Sequence, residues 1–188
     1  FTRPDALNWI LSQTAFNAPK NAKSMLHTFQ TPPTNWSGRR PDAFQSVEFG
    51  IRLELQIEPS PTMTLPLDTF LMRLKPVPSP HLVKGRLSAA AQAGKVLYDG
   101  SRVDCRYCHP APLFTDNKFY SSGIPDPFDP STSWNSPSLI EAWRTGPYNH
   151  LGSMTTLDEV IRVPGHSTNV NRLGAQELTQ LIEFVKSL

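Results

Sequence analysis

The chain's only two cysteines lie three positions apart in Cys105-Arg106-Tyr107-Cys108-His109, and a histidine follows at once. In that order two thiols can close thioether bonds to the vinyl arms of a haem while the imidazole takes the iron from one face. The run therefore reads as a c-type haem attachment site, with His109 as the proximal ligand. Other uses of the pattern fit less well. A zinc site needs two further thiolate or imidazole ligands at recognisable spacing, and a structural disulfide rarely closes so short a loop. A thioredoxin-like pair belongs at a helix N-terminus after a strand, in a βαβ setting that the flanking sequence does not supply.

What such an iron does depends on the position opposite His109. A methionine thioether there raises the potential, a second imidazole lowers it while closing the iron, and an open position invites peroxide or oxygen. Met154, in Leu151-Gly152-Ser153-Met154, could swing a thioether onto iron or simply fill space against the haem. His166 follows Val163-Pro164-Gly165, a helix end that could present an imidazole. His150 and His81 are further candidates, and His150 also reads as a hydrogen-bond partner for a propionate or carbonyl. Peroxide cleavage would also need an acid, base or cation nearby. Asp126, Glu141, Arg144 and His150 could supply one, although each is more simply a solvated or propionate-binding group. For Arg144 the favoured role is to face a haem propionate, because guanidinium matches carboxylate geometry.

The elements that must position these groups are short helices. A first helix is expected over residues 4 to 16, from Leu7, Ile10, Leu11 and Phe16, followed by a polar, turn-rich stretch to Ala43. Trp36 in that stretch reads as core packing in preference to a haem-edge contact. Residues 43 to 55 predict a helix ending before Pro59, then an extended link from Pro59 to Pro66. Leu67, Phe70, Leu71 and Leu74 predict an amphipathic helix stopped by Pro76, Pro78 and Pro80. Ser88 is a good N-cap for a helix from Ala89 through Leu97 that delivers the chain to the haem motif. Asp116 to Ser136 reads as a long surface loop, and Ser138 to Trp143 as a helical turn or two. Thr155 or Thr156 caps a helix through Ile161, with Asp158 and Glu159 in its first turn. A last helix is expected from about Gly174 to Leu188, with Leu178, Leu181, Ile182 and Val185 on its apolar face.

At 188 residues the chain holds one domain or two small ones, and 38% hydrophobic content is thin enough that a haem's apolar surface would help the core. Nineteen prolines and ten glycines imply many turns. No apolar run long enough to span a membrane is present. A formal net charge of +2, without a nucleic-acid motif, gives no reason to invoke DNA or RNA. The chain begins at Phe1, as a processed chain does, and thioether attachment is ordinarily made outside the cytoplasm, so export to the periplasm or beyond is expected.

From Ser88 onward the chain carries an ordered series around the haem motif. It comprises Gly94 to Tyr98, Cys105 to His109, Leu113 to Asp116, Pro137-Ser138-Leu139, Gly146 to His150, Gly152-Ser153, Thr156 to Ile161, and Leu178 to Leu188. This series resembles the C-terminal haem domain of the bacterial di-haem cytochrome c peroxidase family, which includes the enzyme that completes the quinone cofactor of methylamine dehydrogenase. The resemblance implies that this half of the fold holds an electron-transferring haem, while a reactive haem sits in an N-terminal domain with its own CxxCH. Residues 1 to 80 resemble the tail of that N-terminal domain, through Trp36-Ser37-Gly38-Arg39 and Leu67 to Pro80, but carry no second CxxCH. The family's usual distal ligand, a methionine or tyrosine, falls here on Pro164, which cannot ligate. That shifts the expectation toward His166, with Met154 next.

The reading is a mainly α chain in two parts. Residues 1–80 are a remnant of a haem-domain-like segment, and residues 81–188 are a cytochrome c-like domain of short helices and long Pro-rich loops. Its expected function is electron transfer through one covalent haem c and its iron, serving a redox protein or catalytic chain with a second haem or other cofactor, in a hetero-oligomeric, di-haem peroxidase-like assembly. The alternative is hydrogen peroxide reduction, or another haem-dependent oxidation, at an open or displaceable distal site. Residues 1 to 80 have a weak apolar pattern and are expected to find their missing packing on another chain.

Overall fold

A computed structural model describes residues 8–9, 18–167 and 169–188. In chain order the elements are β1 (Asn8–Trp9), β2 (Lys20–Asn21), α1 (Ala43–Phe49), α2 (Pro61–Met72), α3 (Ala89–Asp99), α4 (Cys105–Cys108), β3 (Phe119–Tyr120), β4 (Trp134–Asn135), α5 (Leu157–Ile161) and α6 (Ala175–Lys186). The described chain is predominantly helical, as expected.

The packing that frames the site is the crossing of α3 and α6. Ser88 caps α3, its hydroxyl accepting from the Ala91 N–H at 3.1 Å. Gly174 precedes α6, where the Glu177 carboxylate reaches back to the Gly174 N–H at 2.9 Å. The helices meet so closely at Gly94 that a Cβ there would lie 1.9 Å from the Gln180 carbonyl oxygen, so only glycine fits. Ala91 and Tyr98 of α3 share one buried cluster with Leu178, Leu181, Phe184 and Val185 of α6, and with Val103, Leu157 and Val170. Thr156 caps α5 in a reciprocal capping box with Glu159.

Other expectations are corrected. The helix proposed over residues 4 to 16 lies largely outside the described residues, and within it Asn8 and Trp9 pair antiparallel with Asn21 and Lys20. Residues 43 to 54 are helical, as expected, with the second part a π-helical turn over Gly50–Glu54. The link expected from Pro59 to Pro66 is instead the first half of α2. Pro61 opens that helix at a position that needs no N–H partner, and Pro66 is accommodated inside it. Of the apolar stripe read from the sequence, Leu67 and Phe70 are exposed and Leu71 and Leu74 half-buried, while Asp68 is buried. The Asp116 to Ser136 loop contains an antiparallel ladder, with Phe119 opposite Asn135 and Tyr120 opposite Trp134.

Residues 18 to 36 form an arm laid across the later chain. The Asn21 N–H donates to the His150 carbonyl at 2.8 Å, and its side-chain amide donates to the carbonyls of Pro147 and Asn149 at 2.7 and 3.1 Å. The Trp36 indole donates back to the Asn21 carbonyl at 2.7 Å. This arm therefore finds its packing within the same chain. The proline-rich link is tied down as well, since the Val77 N–H donates to buried Glu141 at 2.5 Å and the Ser79 hydroxyl to the Lys186 carbonyl at 2.5 Å.

Candidate haem site

The Cys105–Cys108 turn follows α3 after residues 100–104 and closes when the His109 N–H donates to the Cys105 carbonyl at 2.9 Å. The Tyr98 hydroxyl, from the buried face of α3, donates to the His109 carbonyl and pins the end of the motif to the core. Both cysteines are free, and both line a cavity of about 350 Å³ together with His109. Burial pushes the Cys105 thiol up to about 11 and raises Cys108 as well. Thiols held protonated are the reverse of the low-pKa nucleophile that a redox CxxC requires. Among the described residues no group of three or more His, Cys, Asp and Glu could hold a bare metal ion, so the pair has no partners for a zinc site.

The His109 ring is held by two carbonyls. Its Nδ1 lies 3.1 Å from the Phe114 carbonyl oxygen and 3.1 Å from that of Pro137. Carbonyls only accept, so Nδ1 carries the proton and Nε2 keeps its lone pair. Burial, with a smaller push from nearby His166, lowers the His109 pKa to about 4 and keeps the ring neutral.

His166 lines the same cavity and is built on the same rule. Its Nδ1 donates to the Val160 carbonyl at 2.5 Å, which leaves Nε2 free. The turn before it is set by a close approach between two loops. Gly123 adopts φ +69°, and a Cβ there would lie 1.9 Å from the Pro164 carbonyl oxygen. The imidazole itself is exposed. Two histidines and two cysteines therefore line one cavity, and these are the residues that would hold a haem there.

The other sequence candidates lie elsewhere. Met154 is not among the lining residues, and its carbonyl accepts the Tyr148 N–H at 2.7 Å. His81 sits 3.3 Å from Glu183, also outside the cavity wall. Arg144, expected at a propionate, is bound instead to Glu141, with Nε and Nη2 donating at 2.9 and 2.5 Å, and does not line the cavity.

His150 does line the cavity, but as part of a buried cluster. It stacks on Trp134 with ring centroids 4.1 Å apart, lies 3.9 Å from Asp126, and neither ring nitrogen has a hydrogen-bond partner. Burial lowers its pKa to about 4, with Asp126 pulling the other way. Lys20 closes the cluster at 2.8 Å from Asp126 and 3.2 Å from Asp129. Trp36 also lines the cavity and lies outside the main core cluster. The arm adds Asn21 and Lys23 to the wall, and β4 adds Trp134 and Asn135. No sequence signal marks these four, because each becomes a wall residue only through the arm's docking.

No family model matches the chain. Among curated proteins it is similar to the cytochrome-c peroxidase IdrP1 of Denitromonas iodatirespirans, 29% identical over 157 residues, covering 56% of this chain and 42% of that protein. It is also similar to the cytochrome-c peroxidase IdrP1 of Pseudomonas sp. strain SCT, 27% identical, covering 56% of this chain and 41% of that protein. The matched region is thus less than half the length of either relative. Among solved structures, a chain of Kuenenia stuttgartiensis hydrazine synthase superposes with a TM-score of 0.86 at 20% identity, covering 99% of this chain and 77% of that one. A MauG-like protein associated with microbial copper homeostasis superposes with a TM-score of 0.71 at 20% identity, covering 90% of this chain and 73% of that one. The chain is thus similar in sequence to cytochrome-c peroxidases over part of its length, and it shares its fold with a MauG-like protein. No helix among the described residues is long and apolar enough to cross a membrane.

Proposed function

We propose that this chain belongs to the di-haem cytochrome c peroxidase and MauG-like superfamily, carries one covalent haem c and acts as a haem-dependent oxidoreductase of the peroxidase class, with a displaceable ligand opposite His109. The observation that carries the reading is the pair of imidazoles, His109 and His166, each with Nδ1 on a carbonyl and both lining the cavity that also holds Cys105 and Cys108. When bound, the haem supplies a redox iron whose reactivity is set by its axial ligands.

The chain's own residues divide the work. Cys105 and Cys108 hold the macrocycle, and Phe114 and Pro137 fix the His109 tautomer through their carbonyls. His166 rides an exposed turn, so withdrawing it costs little packing. His150 places a neutral imidazole in the cavity wall, a group able to accept a proton there. The curated relatives are named as peroxidases, which favours peroxide as the oxidant class. The same two imidazoles also support a second reading, in which the iron stays closed and the chain relays electrons to a partner that carries a second haem or other cofactor. Thioether attachment supports export in either case.

The test uses the haem-loaded chain. Optical and electron paramagnetic resonance spectra are recorded before and after hydrogen peroxide, for wild type, His166→Ala and Met154→Leu. The expected result is low-spin ferric haem at rest, high-spin in His166→Ala, unchanged in Met154→Leu, with peroxide-dependent oxidation of a reduced donor. A haem that ignores peroxide while exchanging electrons with a reduced cytochrome would replace the peroxidase reading with the carrier reading. Loss of the low-spin signal in Met154→Leu would overturn His166.

A further inference from the structure

We infer that Lys23 is the counter-ion for a haem propionate, so that the N-terminal arm as well as the cytochrome domain holds the cofactor. This rests on the haem reading above and adds a residue that nothing in the CxxCH motif points to.

Two lysines on the same arm are treated differently. The Lys20 ammonium is neutralised by Asp126 and Asp129 at 2.8 and 3.2 Å and does not line the cavity. Lys23 does line it, yet its two observed partners are uncharged. Its Nζ donates to the Asn135 amide oxygen at 2.9 Å and lies 5.2 Å from the centre of the Trp36 ring. No carboxylate among the described residues lies within ion-pair distance of it. Burial alone pushes this ammonium down to about 8. A cation held at a cavity wall without an anion is costly, and a carboxylate arriving with the ligand removes that cost. A covalently attached haem brings carboxylates on its propionate arms, and the arginine that could have met them is committed to Glu141.

The other titratable groups outside the attachment motif that share the cavity are Tyr98, Asp104, Tyr120, Tyr148, His150 and His166. Asp104, the carboxylate among them, accepts from the Asn169 amide at 2.6 Å. His150 is held neutral by burial. None of these supplies a second fixed cation, so Lys23 is the group that should hold a propionate ionised.

The experiment compares wild type with Lys23→Arg, Lys23→Gln and Lys23→Met, each haem-loaded, by spectroelectrochemical titration across the neutral pH range. A cation near the macrocycle favours the ferrous state, so Gln and Met should each shift the equilibrium about tenfold toward ferric iron, ~59 mV for a one-electron couple. Both should also acquire a new pH-dependent step as the freed propionate takes up a proton, and Arg should retain the wild-type potential and profile. On wild type alone, redox-difference infrared spectra with labelled propionates should show an ionised carboxylate throughout, which keeps the test open if a variant does not fold. Haem-loaded Gln and Met variants with unchanged potential, equal losses in all three variants, or a protonated propionate in wild type would each overturn the Lys23 assignment. A wild-type chain that attaches no haem would instead overturn the reading on which it rests.

Discussion

Replacing Gly94 by alanine should force apart the helix pair that supports the haem motif. The added Cβ would lie 1.9 Å from the Gln180 carbonyl oxygen, 2.4 Å from its carbon and 2.9 Å from the Leu181 nitrogen. Ordinary contact begins at 3.4 Å, so the α6 backbone must retreat by roughly 1.5 Å. All three atoms are main chain, and no rotamer change relieves them. Helix propensity pulls the other way, because alanine for an interior glycine stabilises by about 1 kcal/mol. Overpacking costs about 1–3 kcal/mol, and a clash with backbone belongs at the upper end or beyond. The net is a loss of about 2 kcal/mol, which lowers Tm by about 4–8 °C for a chain of this size. Thermal and urea unfolding of the haem-loaded chain, followed by far-ultraviolet circular dichroism, would measure it against Lys95→Ala on the exposed side of the same helix. A Gly94→Ala chain as stable as wild type, or more so, would refute the close crossing of α3 and α6.

Two further outcomes follow from buried charge. His150 has its pKa depressed to about 4 by burial, so below the ordinary value of about 6.5 the unfolded chain binds the proton first. Its contribution is present above that value and is lost as pH falls toward 4, a change on the order of 3 kcal/mol at about 1.4 kcal/mol per pK unit. In the haem-loaded protein, His150→Gln should flatten the acid side of the urea midpoint against pH, and an unchanged slope would remove His150 as its source. Glu141 is fully buried and accepts both from Arg144 and from the Val77 N–H. Glu141→Ala removes the buried carboxylate to which Arg144 and the Val77 N–H both donate and releases the proline-rich link, at a cost of about 3 kcal/mol. A urea midpoint within ~0.5 kcal/mol of wild type, the range of an ordinary surface substitution, would show that this pair does not hold the link.

Local chemistry was legible wherever neighbours in sequence are also neighbours in space. Cys105, Cys108 and His109 fall within one helical turn, so their spacing alone states what they can clasp. Ser88 at the head of α3, Thr156 with Glu159 at α5, and the apolar face of α6 were legible for the same reason, since caps and helical periodicity act over three or four residues. The start of α2 was misread because Pro61 and Pro66 look like breakers unless the first lands on an opening turn. Its stripe of Leu67, Phe70 and Leu71 set a helical period, but period does not say what covers a face.

Tertiary structure decided the rest of the site. Whether Met154 or His166 shares a cavity with His109 depends on how the Pro164-Gly165 turn packs against Gly123, some forty positions away. Whether Arg144 or Lys23 is the cation at the cavity wall depends on Glu141 capturing one and on the arm carrying the other more than a hundred residues back to Asn135. Those choices come from competition among distant groups for the same space and the same charge. Sequence by itself pointed to a haem and to the two thiols that would hold it. The folded chain alone determined which imidazoles and which cation line the cavity, because burial and pairing are properties of the assembled packing.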